Sequence, residues 1–351
     1  MIDVRDRTRI DTAIAEALDR TRTQAARLGG GFEALGDAIA RAATGGKRFR
    51  PALVTAAFEA FGGDIDDSPE VYHVATAFEL LHTAFVVHDD VIDNDTERRG
   101  IPNIGGEFRE RARRAGAGDS GAARLGDTAA ILAGDLLLHE STRLVATADV
   151  DTATRRTLLD LLDDAVYVSA AGELADVENS VIPADTRADE ALATAFNKTA
   201  VYSFRAPLAA GAVLAGAPAD ARRVLEAAAG DLGLAFQLVD DLIGAFGTAA
   251  DAGRESGADL REAKQTPLVA LARESTAWAR VNDALLVAYT GPIAVRDAQR
   301  ELEASGARER LRDLIDDTLA RVRRTADDAA LPAEATLLLD RLADRIAGRV
   351  P

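Results

Sequence analysis

Apolar residues recur along this chain at intervals of three and four, the spacing that places them on one face of an α-helix. Ile10, Ile14 and Leu18 form such a stripe near the start of the sequence. Alternating apolar and polar residues, the pattern of a half-buried strand, are rare. The pattern therefore predicts an all-α protein.

Glycine and proline divide the apolar pattern into separate segments. We predict helices over residues 9–28, 32–43, 51–61, 67–93, 127–147, 151–178, 187–215, 218–246, 265–289, 293–304, 306–329 and 332–348. Pro207 should kink the helix that contains it, because proline has no amide hydrogen. Residues 100–126, rich in Gly and Arg, and residues 247–258, rich in Gly and Ala, are predicted loops.

Several predicted helices are apolar on more than one face, as in VYHVATAFELLHTAFVV over residues 71–87. A helix that is apolar all round belongs in the centre of a bundle. The chain has no linker rich in Pro, Gly or Ser, and its periodicity does not change along its length. We expect one domain over residues 1–351, built as a large antiparallel helical bundle around a central active-site cavity.

The charge balance narrows the classes of function. The 351 residues include 41 basic and 58 acidic ones, which gives a formal net charge of −17. This charge disfavours binding to nucleic acid and to anionic membranes. Cysteine is absent, which excludes disulfides, thiolate nucleophiles and cysteine metal ligands. No apolar signal core or membrane-length apolar run is found, so we expect a cytoplasmic protein without a membrane span.

A cluster of aspartates ends one central helix, in the stretch ELLHTAFVVHDDVIDNDTERRG over residues 79–100. Asp89 and Asp93 are four residues apart and share a helix face, and Asp90 lies about a quarter turn away. Such carboxylates repel one another unless a cation lies between them, and oxygen ligands suit Mg²⁺. Taken alone, a stretch of this kind is more often a solvated acidic surface.

A second acidic pair, Asp240 and Asp241, ends another apolar run in FQLVDDLIG over residues 236–244. Two central helices of one bundle that end in acids can face each other. Together they predict a clamp for a cluster of metal ions and diphosphate.

Phosphate oxygens that metal ions do not hold require basic side chains. The segment GGKRFRP over residues 45–51 supplies three of them after a glycine pair. Lys198 lies among apolar residues in FNKTAVYSF, where a lysine either extends to solvent or reaches an anion. Each such cation alone is more often a surface residue. Their association with two acidic ends favours an anion site.

The acidic and basic segments occur together with LAGDLLL at 132–138, NKTAVYSFRAPLAAGAVLAG at 197–216 and DLREAKQTPL at 259–268. In their order and spacing the chain resembles the all-trans isoprenyl diphosphate synthases, or polyprenyl synthetases, over almost its whole length. The DDxxD motif alone is weak, but the ordered set is specific.

The resemblance implies roles for individual residues. Asp89, Asp93 and Asp240 would bind metal, with Asp90 and Asp241 beside them and three Mg²⁺ ions around the bound diphosphate. The residues implied for isopentenyl diphosphate are Lys47, Arg50, His82 and Arg99. The residues implied for the allylic diphosphate are Arg98, Lys198, Thr199, Gln237, Arg254 and Lys264, and Lys198 is also a catalytic candidate.

Four positions depart from the family pattern, and one of them is Ala263, which precedes Lys264 where glycine is common. Gly244 stands where a third aspartate is usual, which predicts fewer protein ligands and more water around the metal on that side. Arg254 stands where a lysine is usual, which keeps the charge. Glu173 stands where glutamine is common, and its carboxylate near diphosphates would be costly unless it is paired or points away.

The family implies condensation of isopentenyl diphosphate with dimethylallyl, geranyl or farnesyl diphosphate, and a homodimer. Phe85, one helical turn before Asp89, and the small Ala84 beside it predict a partly closed product tunnel. We therefore expect a C15 to C20 product, with geranylgeranyl diphosphate favoured. The alternatives are a longer-chain polyprenyl diphosphate synthase, a class I terpene cyclase, a non-catalytic subunit of a heteromeric synthase, and a purely structural helical protein.

Overall fold

The computed structural model describes residues 4–98, 100–182, 186–247 and 257–351. Helices dominate these residues, which confirms the predicted all-α class. Two short strands, β1 (Glu97–Arg98) and β2 (Ile101–Pro102), pair antiparallel with Glu97 opposite Pro102.

The α-helices are numbered in chain order. They are α1 (Val4–Ala26), α2 (Gly30–Ala42), α3 (Phe49–Ala60), α4 (Glu70–Ile92), α5 (Ile104–Arg114), α6 (Asp119–Ala146), α7 (Thr152–Val181), α8 (Ala188–Ala195), α9 (Ala206–Leu214), α10 (Ala219–Phe246), α11 (Ala258–Arg261), α12 (Pro267–Arg273), α13 (Trp278–Leu285), α14 (Pro292–Ala304), α15 (Ala307–Ala326) and α16 (Ala333–Ala347). A π-helix (Phe196–Arg205) joins α8 to α9, and a 3₁₀ turn (Ala288–Thr290) precedes α14.

The predicted loop over residues 100–126 was wrong, because this stretch contains β2, α5 and the start of α6. The Asn103 side chain caps α5 by accepting a hydrogen bond of 2.8 Å from the Gly106 amide. Ile104, Phe108 and Ala112 then lie four residues apart and are buried along one face of α5. The surrounding glycines and arginines obscured this apolar stripe in the sequence.

Two predicted long helices are divided in the structure. The helix predicted over residues 187–215 becomes a π-helix at Phe196 and returns to an α-helix at Ala206, immediately before Pro207, whose ring does not fit the interior of a regular α-helix. The helix over residues 265–289 is broken after α12, where the Ser275 hydroxyl donates to the Ala272 carbonyl and accepts from the Ala277 amide. In the predicted loop over 247–258, residues 248–256 lie outside the described ranges and Ala258 begins α11.

The chain divides into two compact units. The first unit comprises Met1–Asp160 and Val213–Ala215, and the second comprises Leu161–Ala212 and Gly216–Pro351. The expectation of one domain over residues 1–351 stays a prediction.

In the first unit, α4 lies at the centre, packed against α1, α3 and α6. Val74, Leu80 and Leu81 of α4 are completely buried, although they point in different directions around the helix. In the second unit, α10 packs against the π-helix, α15 and α16, and its Leu225 and Leu238 are completely buried. Each predicted aspartate motif therefore lies near the end of a largely buried helix.

Arg48, immediately before α3, is a buried cation that joins three elements of the first unit. Its side chain donates to Asp11 (2.8 Å) on α1 and to Glu79 (3.0 Å) on α4, and its backbone lies in the left-handed region at φ 51°. A non-glycine residue in that region costs on the order of 1 kcal/mol, and the buried ion pairs offset this cost. Arg48 is therefore committed to the fold and is not available to a ligand.

Replacement of Arg48 by alanine should destabilise the protein by about 3 kcal/mol, because Glu79 would stay buried without its cation. Urea denaturation followed by circular dichroism measures this change. Arg27→Ala, at an exposed position of the same unit, is the matched control and should change stability by less than about 0.5 kcal/mol. An Arg48→Ala protein as stable as this control would contradict the role given to the ion pairs.

Candidate active site

The first acidic end lies in the last turn of α4. The helix ends at Ile92, the Asp93 amide donates to the Asp89 carbonyl (2.8 Å), and Asn94 turns the chain in a left-handed conformation at φ 57°. Carboxylates in the last turn of a helix face the negative end of its dipole. The dipole therefore repels each carboxylate, in addition to the repulsion between the carboxylates themselves. Both effects favour the binding of a cation at this end of the helix.

Asp90 is the buried member of this end, with 6% of its surface exposed, whereas Asp89 is half-buried and Asp93 is exposed. Burial raises the pKa of the Asp90 carboxyl, and Arg98 only partly offsets this effect. Arg98 Nη2 lies 2.6 Å from Asp90 Oδ1 and 3.5 Å from Asp89 Oδ2. Arg98, which the resemblance assigned to the allylic diphosphate, is therefore a counter-ion of the acids in this structure.

The candidates for isopentenyl diphosphate lie on α3 and α4, which pack together. Lys47 is exposed immediately before α3, and Arg50 is half-buried in its first turn. The hydrogen bond from Arg48 to Glu79 fixes the start of α3 beside α4. Glu79 lies three residues before His82, which is half-buried. The structure thus places the Lys47 segment within about one helical turn of His82 along α4.

Ala84 and Phe85, the predicted chain-length residues, differ in burial. Ala84 is completely buried in the core of the first unit with Leu80 and Leu137, whereas Phe85 is half-buried. Their role in product length stays a prediction. Arg99 and Arg254 lie outside the described residues, so their substrate roles also stay predictions.

In the second acidic end, a chain of hydrogen bonds joins three of the predicted residues. The Thr199 hydroxyl donates to Gln237 Oε1 (2.7 Å), and Gln237 Nε2 donates to Asp241 Oδ1 (2.8 Å). The other carboxylate oxygen, Asp241 Oδ2, is buried and has no hydrogen-bond partner among the described residues. Such an oxygen has lost its hydrogen bonds to water on folding and has gained none in exchange, which is costly.

The electrostatic environment of Asp241 disfavours its charged form. The pKa of its carboxyl is raised to about 8, chiefly by burial; the Gln237 hydrogen bond opposes this shift, and the negative charges of Asp259, Asp240 and Asp176 add to it. A divalent cation at this position would favour the ionised carboxylate. Asp241 is therefore a candidate to interact with a metal ion, even though the resemblance gave that role chiefly to Asp240.

Lys198 lies in the π-helix and binds two carboxylates of α7. Its Nζ is 3.0 Å from Glu173 Oε2 and 2.7 Å from Asp176 Oδ2. A Cβ at Gly172 would lie 2.3 Å from the Lys198 amide nitrogen, so glycine is what allows α7 and the π-helix to approach this closely. The pairing explains the carboxylate at Glu173, which the sequence left unexplained. Asp176 was missed, although it follows Glu173 by three residues and so shares its helix face.

Asp240 faces a cation that the sequence did not indicate. Arg349 Nη2 lies 2.5 Å from Asp240 Oδ1, and the Arg349 guanidinium covers the Phe236 ring at 4.5 Å from its centroid. Because Phe236 and Asp240 are four residues apart on α10, one arginine contacts both. Arg349 is 109 residues away along the chain, and no local pattern pointed to it.

Lys264 lies among acids rather than alone. Its Nζ is 3.2 Å from Glu262 Oε2 and 4.0 Å from Asp259 Oδ1. Asp259 is buried, with 6% of its surface exposed, and was another residue that sequence reasoning missed. Among the described residues of the second unit, Lys198, Lys264 and Arg349 thus each lie beside at least one carboxylate, from Glu173, Asp176, Asp240, Asp259 or Glu262.

The carboxylates of the two acidic ends are suitable ligands for Mg²⁺, because this ion prefers oxygen ligands. Asp90, Asp241 and Asp259 among them are buried. Among the described residues, no three acidic or histidine side chains already form a complete metal-binding group. Mg²⁺ in proteins is usually bound by one or two carboxylates together with substrate phosphates.

Comparison with known proteins identifies the family. The profile described as polyprenyl synthetase matches residues 33–292 of the chain. This chain belongs to the polyprenyl synthetase family. The resemblance of the ordered motifs to that family is therefore confirmed.

Relatives of this polyprenyl synthetase include enzymes that make products of different length. It is 32% identical to a geranylgeranyl diphosphate synthase of Sulfolobus acidocaldarius over 64% of this chain and 62% of that protein. It is 35% identical to a (2E,6E)-farnesyl diphosphate synthase of Mycobacterium bovis over 63% of this chain and 55% of that protein. The matches thus span little more than half the length of these relatives. A geranylgeranyl diphosphate synthase of Mycobacterium tuberculosis is 33% identical over 75% of this chain and 69% of its own.

Solved structures share the fold over nearly the whole chain. A geranylgeranyl pyrophosphate synthase of Corynebacterium glutamicum, complexed with isoprenyl diphosphate and magnesium, matches with a TM-score of 0.89 and 26% identity over 99% of this chain and 100% of its own. A decaprenyl diphosphate synthase of Rhodobacter capsulatus matches with a TM-score of 0.72 and 27% identity over 98% and 99% of the two chains. Synthases of different products share this fold, so the fold alone does not set product length.

No helix in the described part of the chain combines the length and the apolar character that crossing a membrane requires.

Replacement of Arg349 by alanine should tighten Mg²⁺ binding, because the arginine competes with the metal for Asp240. A partly exposed ion pair is worth about 0.2–1 kcal/mol, so we expect an affinity up to about fivefold higher. Isothermal titration calorimetry with Mg²⁺ at saturating inorganic pyrophosphate measures it. Arg349→Lys, which keeps the charge, should change the affinity less than Arg349→Ala. Unchanged or weaker Mg²⁺ binding by Arg349→Ala would contradict this competition.

Proposed function

We propose that this protein is a Mg²⁺-dependent trans-prenyltransferase that condenses isopentenyl diphosphate with an allylic diphosphate. The observation that carries the proposal is the placement of the predicted aspartates. Both motifs lie near the ends of largely buried helices, and each contains a buried carboxyl whose pKa is raised by its surroundings, Asp90 in one and Asp241 in the other. Buried carboxyl groups with raised pKa values are suited to bind a divalent cation that enters the site together with a diphosphate.

The first step in this proposal is ionisation of the allylic substrate. Bound Mg²⁺, three ions by family resemblance, would neutralise the diphosphate and make it a better leaving group. Asp89, Asp93 and Asp240 supply the carboxylate ligands, and Lys198 stabilises charge on the diphosphate oxygens. The carbon–oxygen bond breaks, its electron pair leaves with the diphosphate, and an allylic cation remains.

The second step forms the new carbon–carbon bond. The double bond of isopentenyl diphosphate attacks the allylic cation, and a proton then leaves the adduct to the released pyrophosphate. The product is five carbons longer than the allylic substrate. The role of the protein is to position both diphosphates, stabilise charge and exclude water from the cation.

The basic residues near His82 support a synthase over a class I terpene cyclase. Lys47 and Arg50, at the start of α3, provide cations for a second diphosphate, which a cyclase does not need. The intact acids of the first motif argue against a non-catalytic subunit, since such subunits usually lose them. Incubation of the protein with isopentenyl diphosphate, each allylic diphosphate in turn and Mg²⁺ distinguishes a synthase from a cyclase and from a non-catalytic subunit. Prenyl diphosphates would support the proposal, and cyclised hydrocarbons or no product would refute it.

The favoured product is geranylgeranyl diphosphate, within a C15 to C20 range. Support comes from Phe85, four residues before Asp89 on α4, and from relatives named as geranylgeranyl and farnesyl diphosphate synthases. A longer-chain synthase is the alternative.

A homodimer also belongs to the proposal. Helix α6 exposes Leu125, Ile131 and Leu132, each with 40–46% of its surface accessible, and a second copy would cover them. A cytoplasmic location is likewise part of the proposal.

Replacement of Asp89 by alanine should reduce Mg²⁺-dependent condensation by at least about a hundredfold, because it removes a metal ligand next to the diphosphate. Incorporation of labelled isopentenyl diphosphate into acid-labile product measures the rate. Asp67→Ala, at an exposed aspartate of the same unit, is the control and should keep normal activity. Near-normal turnover in the Asp89 variant would refute its assignment as a metal ligand.

Replacement of Phe85 by alanine should lengthen the products, because a large side chain one turn below the acids would no longer block the growing chain. Chromatography of the dephosphorylated products gives the length distribution. Phe61→Ala, at another half-buried phenylalanine of the first unit, should leave the lengths unchanged. A Phe85→Ala enzyme with wild-type product lengths would show that this residue is only part of the packing.

A further inference from the structure

The last turn of α4 is attached to the rest of the first unit on two sides. Successive residues of an α-helix point about 100° apart, so His88, Asp89 and Asp90 point in three directions. Asp90 is bound by Arg98, whose Nη2 lies 2.6 Å from Asp90 Oδ1. His88 points to the other side of Asp89 and reaches α6. Asp89 and Asp93, the two predicted metal ligands of this helix, lie in the sector between the two attachments.

The His88 ring makes a specific contact with α6. Its Nε2 atom lies 3.3 Å from the Ile131 carbonyl oxygen. Because a carbonyl oxygen only accepts hydrogen bonds, this contact is a hydrogen bond in which Nε2 carries the hydrogen. Asp135 Oδ1 lies 3.5 Å from the same nitrogen, so two acceptors of α6 favour a hydrogen at this position. The ring thus ties the end of α4 to α6.

Gly134 provides the place on α6 against which the His88 ring packs. A Cβ at Gly134 would lie 2.1 Å from His88 Nε2 and 2.4 Å from His88 Cδ2, far inside van der Waals contact. Any other residue at position 134 would therefore displace the ring from the Ile131 carbonyl. Gly134 is buried in the interior of a 28-residue helix, where glycine is less favourable than alanine. The close approach of the ring explains why a glycine is needed there.

We propose that His88 is a positioning residue for the first acidic motif. Its hydrogen bond to α6 fixes the rotation of the last turn of α4, and thereby directs the carboxylates of Asp89 and Asp93 toward a bound cation. His88 acts through these carboxylates and contacts neither the metal nor the substrate. Residues that orient metal ligands typically contribute about 10- to 100-fold to metal affinity. The inference rests on the proposed function, in which Asp89 and Asp93 bind Mg²⁺.

The first test compares His88→Ala with His88→Gln, whose side-chain nitrogen can take the place of Nε2. Isothermal titration calorimetry with Mg²⁺ at saturating inorganic pyrophosphate should show at least about a tenfold loss of Mg²⁺ affinity in His88→Ala, and a loss of less than about threefold in His88→Gln. His73→Ala, at an exposed histidine of the same helix, is the matched control and should bind Mg²⁺ as the wild type does. Wild-type affinity in His88→Ala, or an equal loss in His88→Gln, would overturn the proposal.

Steady-state kinetics distinguish this role from a general loss of folded protein. A displaced metal ligand should raise the Mg²⁺ concentration for half-maximal activity of His88→Ala by at least about fivefold and lower kcat. The KM for isopentenyl diphosphate should stay unchanged, because its candidate residues Lys47 and Arg50 lie at the start of α3. A smaller folded fraction would lower kcat alone. A lower kcat with an unchanged Mg²⁺ dependence would therefore contradict the proposal.

A second variant tests the contact between the ring and Gly134. Gly134→Ala should shift the His88 ring and reduce Mg²⁺ affinity about as much as His88→Ala does. In the variant that combines both changes, the added methyl group enters space that the imidazole has left, so the two losses should not multiply. Wild-type Mg²⁺ affinity in Gly134→Ala, or losses that multiply in the double variant, would show that the two residues act independently and would refute the proposal.

The same titrations separate this inference from the proposed function. If the wild type binds Mg²⁺ with pyrophosphate and makes prenyl diphosphates while His88→Ala binds Mg²⁺ equally well, only the role of His88 is refuted. If the wild type does not bind pyrophosphate in the presence of Mg²⁺, the proposed function fails as well.

Discussion

Two buried carboxyl groups, one in each acidic motif, are the constraint on which the candidate site depends. Asp90 and Asp241 are both removed from water, and burial raises the pKa of each. Arg98 offsets the effect of burial on Asp90 only in part. Among the described residues, the buried Asp241 Oδ2 has no hydrogen-bond partner. An isolated buried charge is costly, so a protein retains such groups where a ligand will complete them. A metal ion that arrives with a diphosphate supplies the missing charge.

The packing of each unit maintains this condition. Helices α4 and α10 are largely buried, and they hold Asp90 and Asp241 away from solvent. Close approaches at Gly172 and Gly244 bring carboxylates from neighbouring elements to Lys198 and Asp241. Basic side chains lie between acidic ones; Lys198, for example, forms ion pairs with two carboxylates of α7.

Apolar periodicity predicted the helical fold, because burial of a stripe or of a whole helix leaves a pattern in the local sequence. It failed over residues 100–126, where a cap at Asn103 starts a helix among glycines and arginines. The family pattern assigned the aspartates, but it could not show which cations already pair with them. Asp259 and Arg349 reach the second acidic end from distant parts of the chain, and only the folded structure brings them to it. Tertiary partners of this kind have no local signal.

The most direct test of the central claim is the binding of inorganic pyrophosphate to the wild-type protein with and without Mg²⁺, measured by isothermal titration calorimetry. The acidic ends and the formal net charge of −17 should repel pyrophosphate when no metal is present. We predict binding in Mg²⁺ and at least about a hundredfold weaker binding in EDTA, a difference of about 2.7 kcal/mol. Equal affinity in both conditions would contradict the claim that these carboxylates hold diphosphate through a metal ion.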